Sequence, residues 1–169
     1  RRQRQMCIRD RYIIDSDGSN LKCITTDLDQ TPGAPFWSEN SSGVYFNVRE
    51  FGQSNVYYAN LSGQISKVSQ GNHMLTMNDL VGNNAVATWT NPSNPSDIVS
   101  FSVKKFNKID RLTDVNNDIF YNVEFGKVEE INYESVDGKI VQGWVVKPPQ
   151  FDSKKKYCLL YTSPSPRDS

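Results

Sequence analysis

Apolar positions in this chain recur in short alternating runs separated by turn residues, and no stretch between Tyr12 and Thr113 carries the 3.6-residue periodicity of an amphipathic helix of ordinary length. Phe36 to Val48, FWSENSSGVYFNV, sets the pattern: an aromatic pair reaches a polar turn at Glu39–Gly43, and an alternating strand, Val44–Val48, leaves it. Asp17-Gly18 supplies hairpin turn chemistry between Tyr12–Asp15 and Asn20–Thr25. Thr31–Pro35 reads as loop and Arg49–Ser54 as a polar hairpin connection. Further strands are expected at Val56–Ala59, Ile65–Val68, Ala85–Trp89 and Asp97–Val103, with Asn91–Ser96 as an edge loop.

The runs repeat. Tyr12–Thr25 aligns with Val56–Ser69 and with Ile98–Thr113, and Ile24, Val68 and Leu112 stand 44 residues apart. A period of about 40–45 residues built from short strands is the spacing of propeller blades. The texture changes after Thr113. Asp114 is placed to cap a short helical turn in 114–120. Val128–Ser135 and Ile140–Val146 then alternate around an Asp137-Gly138 turn, and Lys147-Pro148-Pro149 ends the second run. The expected fold class is all-β: a partial β-propeller of about two to three blades, followed by a separate pair of strands.

Both ends differ from the body. Residues 1–11 are arginine-dense and aperiodic, and residues 158–169 break a developing strand into a Ser-Pro tract; both resemble translated sequencing-library adapters. The whole chain has 19 basic and 19 acidic residues, whereas the segment 12–157 has 13 and 17, a net charge of −4. That balance implies no nucleic-acid partner. Cys7 and Cys158 lie in the two ends and Cys23 stands alone between them, so no disulfide framework or cysteine metal site is indicated. No run approaches the ~18 apolar residues of a membrane-spanning helix.

The order of motifs resembles the prolyl oligopeptidase family of serine peptidases, in its dipeptidyl-peptidase and acylaminoacyl-peptidase branches. The resemblance rests on the Trp37-Ser38 turn and strand, Glu129–Tyr133, Asp137-Gly138, and Val141-Gln142-Gly143-Trp144-Val145-Val146-Lys147-Pro148-Pro149. It implies C-terminal propeller blades over 12–113, a linker over 114–127, and the opening β-strands of an α/β-hydrolase domain over 128–157. It also implies a parent that hydrolyses short peptides through an acyl-enzyme, with the propeller screening the site. The family's G-x-S-x-G elbow does not occur here, so the expected catalytic, cofactor-binding and metal residues of this fragment are none, and no cofactor is expected. Short peptides are the implied partners, with a homo-oligomer possible and the compartment open between cytoplasm and periplasm. Two other readings compete: a non-enzymatic propeller acting in protein interactions, and a hydrolase of non-peptide esters or amides.

Residues with chemical potential have plainer expected roles. His73, the single histidine, reads as a surface or loop residue. Ser42 and Ser62 read as turn residues, and Glu129-Glu130 as a strand start with a solvated face. Trp37, Trp89 and Trp144 read as packing between strands, and Lys154–Lys156 as a solvated turn.

Overall fold

The computed structural model describes residues 9–158; residues 1–8 and 159–169, most of the two adapter-like ends, lie outside it. The chain divides into two compact units, with the boundary between Val123 and Glu124. Strands dominate both, and the all-β expectation stands.

The first unit opens with a hairpin of β1 (Tyr12–Ile13) and β2 (Lys22–Cys23), paired Tyr12 to Cys23. Two four-stranded antiparallel meanders follow. One comprises β3 (Phe36–Trp37), β4 (Gly43–Glu50), β5 (Gln53–Asn60) and β6 (Ile65–Lys67). The other comprises β7 (Met74–Val81), β8 (Asn84–Asn91), β9 (Asn94–Ser102) and β10 (Asp110–Arg111). These are two blades of a partial β-propeller, and β1–β2 has the place of the outer hairpin of a preceding blade.

The repeat seen in the sequence is a repeated set of hydrogen bonds. The Ile24, Val68 and Leu112 amides donate to the carbonyls of Arg11, Val56 and Ile98 at 2.9, 2.8 and 2.8 Å. One residue on, the hydroxyls of Thr25, Ser69 and Thr113 accept from the amides of Arg11, Val56 and Ile98 at 2.8, 2.8 and 2.9 Å. Each hydroxyl also donates to the acid or amide just before that strand residue: Asp10, Asn55 and Asp97, at 3.2, 3.0 and 2.9 Å. A single hydroxyl thus satisfies two groups and closes each outer hairpin. Arg11, set aside in the sequence reading, is bonded into the first copy; its Nη2 donates to the carbonyls of Pro32 and Gly33 at 2.6 and 3.0 Å.

Burial follows sheet position. On β4, Val44, Tyr45, Phe46 and Val48 are all buried, so alternation fails there: both faces of the first blade are covered. Val44, Phe46, Val48 and Ala59 pack with Ile24, while Tyr45 and Val56 pack with Leu75, Met77, Ala87, Val99 and Phe101 of the second blade. The second blade buries just one face, and Val86 and Ile98 on its other face are exposed. Gly43 is required at the head of β4, because a Cβ there would lie 2.3 Å from the Ala59 carbonyl oxygen.

Several sequence boundaries are corrected. β4 and β5 run through most of Arg49–Ser54, leaving a two-residue turn in which Phe51 and Gly52 both take positive φ (48° and 69°), as a type I′ hairpin requires. Met74–Val81, not singled out as a strand, forms β7. Asn91–Ser96 is not a loop: β9 begins at Asn94 and includes Pro95, where pairing with β8 is irregular, and there the missing proline N–H is tolerated. Asp114 caps nothing. The one-turn helix α1 (Asn117–Phe120) starts after Asn116, and Asp114 instead pairs with Arg111 at 3.0 Å.

The second unit holds β11 (Val128–Glu134) and β12 (Ile140–Val146), an antiparallel hairpin registered Val128 to Val146 through Glu134 to Ile140. Gly138 at φ 76° turns the chain, and Ser135 N–H donates to the Lys139 carbonyl at 2.8 Å.

Candidate functional site

The two blades meet along a seam that the backbone hardly bridges. Ser54 opposite Met74 is the single parallel pair between β5 and β7. Side chains supply the rest. Asn47 Nδ2 donates to the Leu75 carbonyl at 2.6 Å while its Oδ1 accepts from the Met77 amide at 2.8 Å, so one amide side chain reads β7 as a strand would. Ser54 Oγ also donates to the Leu75 carbonyl, at 2.8 Å.

At one end of this seam lies a cleft of about 530 Å³ whose walls include Val68, His73, Trp89, Phe106, Lys108 and Ile109. His73 comes from the connection entering β7, Trp89 from β8, and the last three from the segment between β9 and β10. His73 is 8% exposed. Burial, together with the charge of Lys67, pulls the His73 imidazole below the usual histidine range, so it is neutral at pH 7. Its Nε2 and the Trp89 Nε1 are buried without a hydrogen-bond partner. The Arg111 guanidinium lies 5.8 Å from the centre of the Trp89 ring, held by Asp97 and Asp114. His73 Nε2 and Trp89 Nε1 are closed off from the surface, and neither side chain is placed as a nucleophile here.

Of the two readings of His73, surface or loop, the structure keeps the loop: His73 lies in the connection into β7, but its side chain is buried. Trp89 packs at the margin of the interblade core, as expected. Trp37 and Trp144 do not: they are 56% and 50% exposed, since β3 ends its sheet and β12 belongs to a sheet of two strands. Ser42 Oγ shares hydrogen bonds with Asn40 and Tyr58, and Ser62 Oγ donates to Asn60 Oδ1 at 2.6 Å, so both hydroxyls serve turns. Lys154–Lys156 are exposed at a turn in which Asp152 accepts from the Lys154 amide at 2.9 Å.

Glu129 is less solvated than its sequence context suggests. Lys147 and Lys127 flank it, and their hydrogen bonds, Lys147 first, hold its carboxyl below the usual range. Glu130 bonds instead to Gln142 and Asn132, which lower its carboxyl likewise. Within this second unit a cleft of about 370 Å³ includes Phe125, Lys127, Glu129, Lys147 and Phe151 among its walls. Among the described residues no three His, Cys, Asp or Glu side chains are grouped as a metal would need, and no helix is long and apolar enough to cross a membrane.

The chain is 25% identical over 165 residues to the uncharacterized peptidase YuxL of Bacillus subtilis, a match covering 88% of this chain and 25% of that protein. It is 28% identical over 147 residues to dipeptidyl-peptidase 5 of Porphyromonas gingivalis, covering 79% and 20%. The chain is thus similar to peptidases of the prolyl oligopeptidase type. The fold agrees: the solved acylaminoacyl peptidase of Pyrococcus horikoshii superposes with a TM-score of 0.64 at 21% identity, over 82% of this chain and 21% of that one. No protein-family model matches the chain. It spans about a quarter or less of the length of these peptidases. The Asn47 clamp and the hydroxyl repeat were missed in the sequence, although the 44-residue spacing of Thr25, Ser69 and Thr113 was available there.

Proposed function

We propose that this chain is part of a serine-type peptidase that hydrolyses short peptides through an acyl-enzyme. Residues 12–113 would be its C-terminal propeller blades, 114–127 a linker, and 128–157 the opening strands of its α/β-hydrolase domain. Residues 1–11 and 158–169 would be adapter-derived. The observation that carries the reading is the YuxL match, which takes in 88% of the chain and so reaches into both units. The blades act as a screen: a rigid sheet wall admits short peptides and excludes folded proteins, and it needs no reactive group of its own. Among the described residues, His73 Nε2 activates no hydroxyl, since it has no partner.

The test uses the gene recovered by sequencing genomic DNA across both ends of this reading frame. A fluorophosphonate probe is expected to label the full-length product, which should cleave short peptides and spare folded casein-sized proteins, while the 169-residue chain stays unlabelled. An unlabelled full-length product, or hydrolysis by this chain alone, would overturn the reading.

A further inference from the structure

His73 is the single histidine of the chain, and it sits at the backbone pairing that joins the two blades. Its carbonyl accepts from the Ser54 amide at 2.9 Å, and the next residue, Met74, is the partner of Ser54 in the parallel pair between β5 and β7. The connection is shaped to its ring: a Cβ on Gly71 would lie 2.5 Å from His73 Cε1, so glycine is needed for the chain to pass so close. The side chain is 8% exposed, and its Nε2 is buried without a hydrogen-bond partner.

We propose that His73 is an acid-sensitive latch on the blade seam: while neutral its ring stays packed in the connection, and on taking a proton it leaves and loosens the β5–β7 bridge. A neutral imidazole can leave one nitrogen unpaired at modest cost. An imidazolium carries a donor on both nitrogens and a charge that must be solvated or paired. The surroundings supply neither. Burial first, then the like charge of Lys67 on β6, hold the imidazole below the usual histidine range. The acids of the neighbouring elements are committed elsewhere: Glu50 of β4 to Lys67 and the Tyr57 hydroxyl, Asp97 of β9 and Asp114 to Arg111, and Asp110 of β10 to Lys108. Trp89 Nε1 of β8, the other buried side-chain atom without a partner among the described residues, is itself a donor. A histidine depressed on folding contributes stability that is present above the unfolded value of ~6.5 and is lost as pH falls below it. Glu50 and Asp97 are held below the usual carboxylate range, so both stay charged where His73 takes its proton. This device is independent of the peptidase reading.

The experiment follows the full 169-residue chain by NMR from pH 8 to pH 5. The ring C–H resonance of its one histidine should titrate with a midpoint below ~6.5. Exchange of the Ser54 amide, corrected for the pH dependence of the intrinsic rate, should lose protection over the same range. The loss should exceed about threefold and can reach about 30-fold, the ceiling for an open-state pKa of ~6.5 and a closed form that takes no proton. Amides of the β8–β9 and β11–β12 hairpins should keep their protection. His73→Phe and His73→Gln, which cannot titrate, should hold Ser54 protection constant across the range; two shapes guard against one that misfits, and the parent's titration decides without either. A midpoint at or above ~6.5, a change at Ser54 below about threefold, an equal loss in every hairpin, or the same acid loss in a folded variant would each overturn the proposal.

Discussion

Ser69→Ala is the sharpest probe of how the blades are closed. Ser69 is fully buried, as are Asn55 and Val56, and its Oγ accepts from the Val56 amide at 2.8 Å while donating to Asn55 Oδ1 at 3.0 Å. Deleting one oxygen leaves both partners unpaired in a fully buried position. Each stranded group costs about 1–3 kcal/mol, and allowing for some relaxation the pair comes to about 2–4 kcal/mol. The equivalent Thr113→Ala should cost about 0.5–1 kcal/mol, because the Ile98 amide it serves is exposed and water can substitute. Native-state hydrogen exchange reads the difference where it arises. The Val56 amide should lose about 30- to 700-fold of its protection in Ser69→Ala, at 1.4 kcal/mol per tenfold. Ser69→Thr, which keeps the hydroxyl and matches the residue at the other two copies, should keep most of it. If Ser69→Ala changes Val56 exchange by less than threefold, the repeated hydroxyl is not what closes the hairpins; if Thr113→Ala proves as costly, exposure of the Ile98 amide does not relieve its loss.

Asn47→Ala removes the two Asn47 side-chain bonds to β7 and should destabilise the first unit by about 2–3 kcal/mol. Exchange at the Leu75 and Met77 amides should rise while the β11–β12 amides hold; equal rises in both units would refute the clamp. Asp97 bears on acid stability. Its carboxyl lies below the usual range because of Arg111 first, then Thr113 and the Val115 amide, against an opposing effect of burial. A depressed folded value means stabilisation that is present above the unfolded pKa of ~3.9 and is lost as pH falls through the folded value. Asp97→Asn, which keeps an acceptor for Thr113 as Asn55 does for Ser69, should be less stable than the parent at pH 7, with a smaller gap at pH 3. Urea midpoints at the two pH values measure this, and an unchanged gap would count against the Arg111 pairing. Both proteins should also lose stability in acid, since Glu50 and Glu129 are likewise depressed by lysine partners.

Strand type and repeat were legible in the sequence because each rests on local chemistry. Alternation, Asp-Gly turns and the 44-residue period all survive as β1–β2, β5–β6, β9–β10 and β11–β12. The resemblance to peptidases was legible for the same reason, carried by contiguous motifs. Where reading failed, the deciding contact was distant in the chain. Arg49–Ser54 looked like loop because its polar residues hide pairing that the Phe51-Gly52 turn and the partner strand impose. Trp37 and Trp144 looked like core because hydrophobicity does not say whether a strand stands at a sheet edge.

The sequence by itself determined that this chain is made of short strands in a repeating frame, since turn chemistry and side-chain alternation act over a few residues. Tertiary structure alone decided which polar groups matter. Asn47 reaches residues 28 and 30 positions away, and the three hydroxyls reach back 14, 13 and 15. It also set buried His73 and half-buried Trp89 beside one cleft, each with a buried, unpaired ring nitrogen. Burial and partnership are properties of the packed sheets, and composition along one strand does not encode what the neighbouring blade covers.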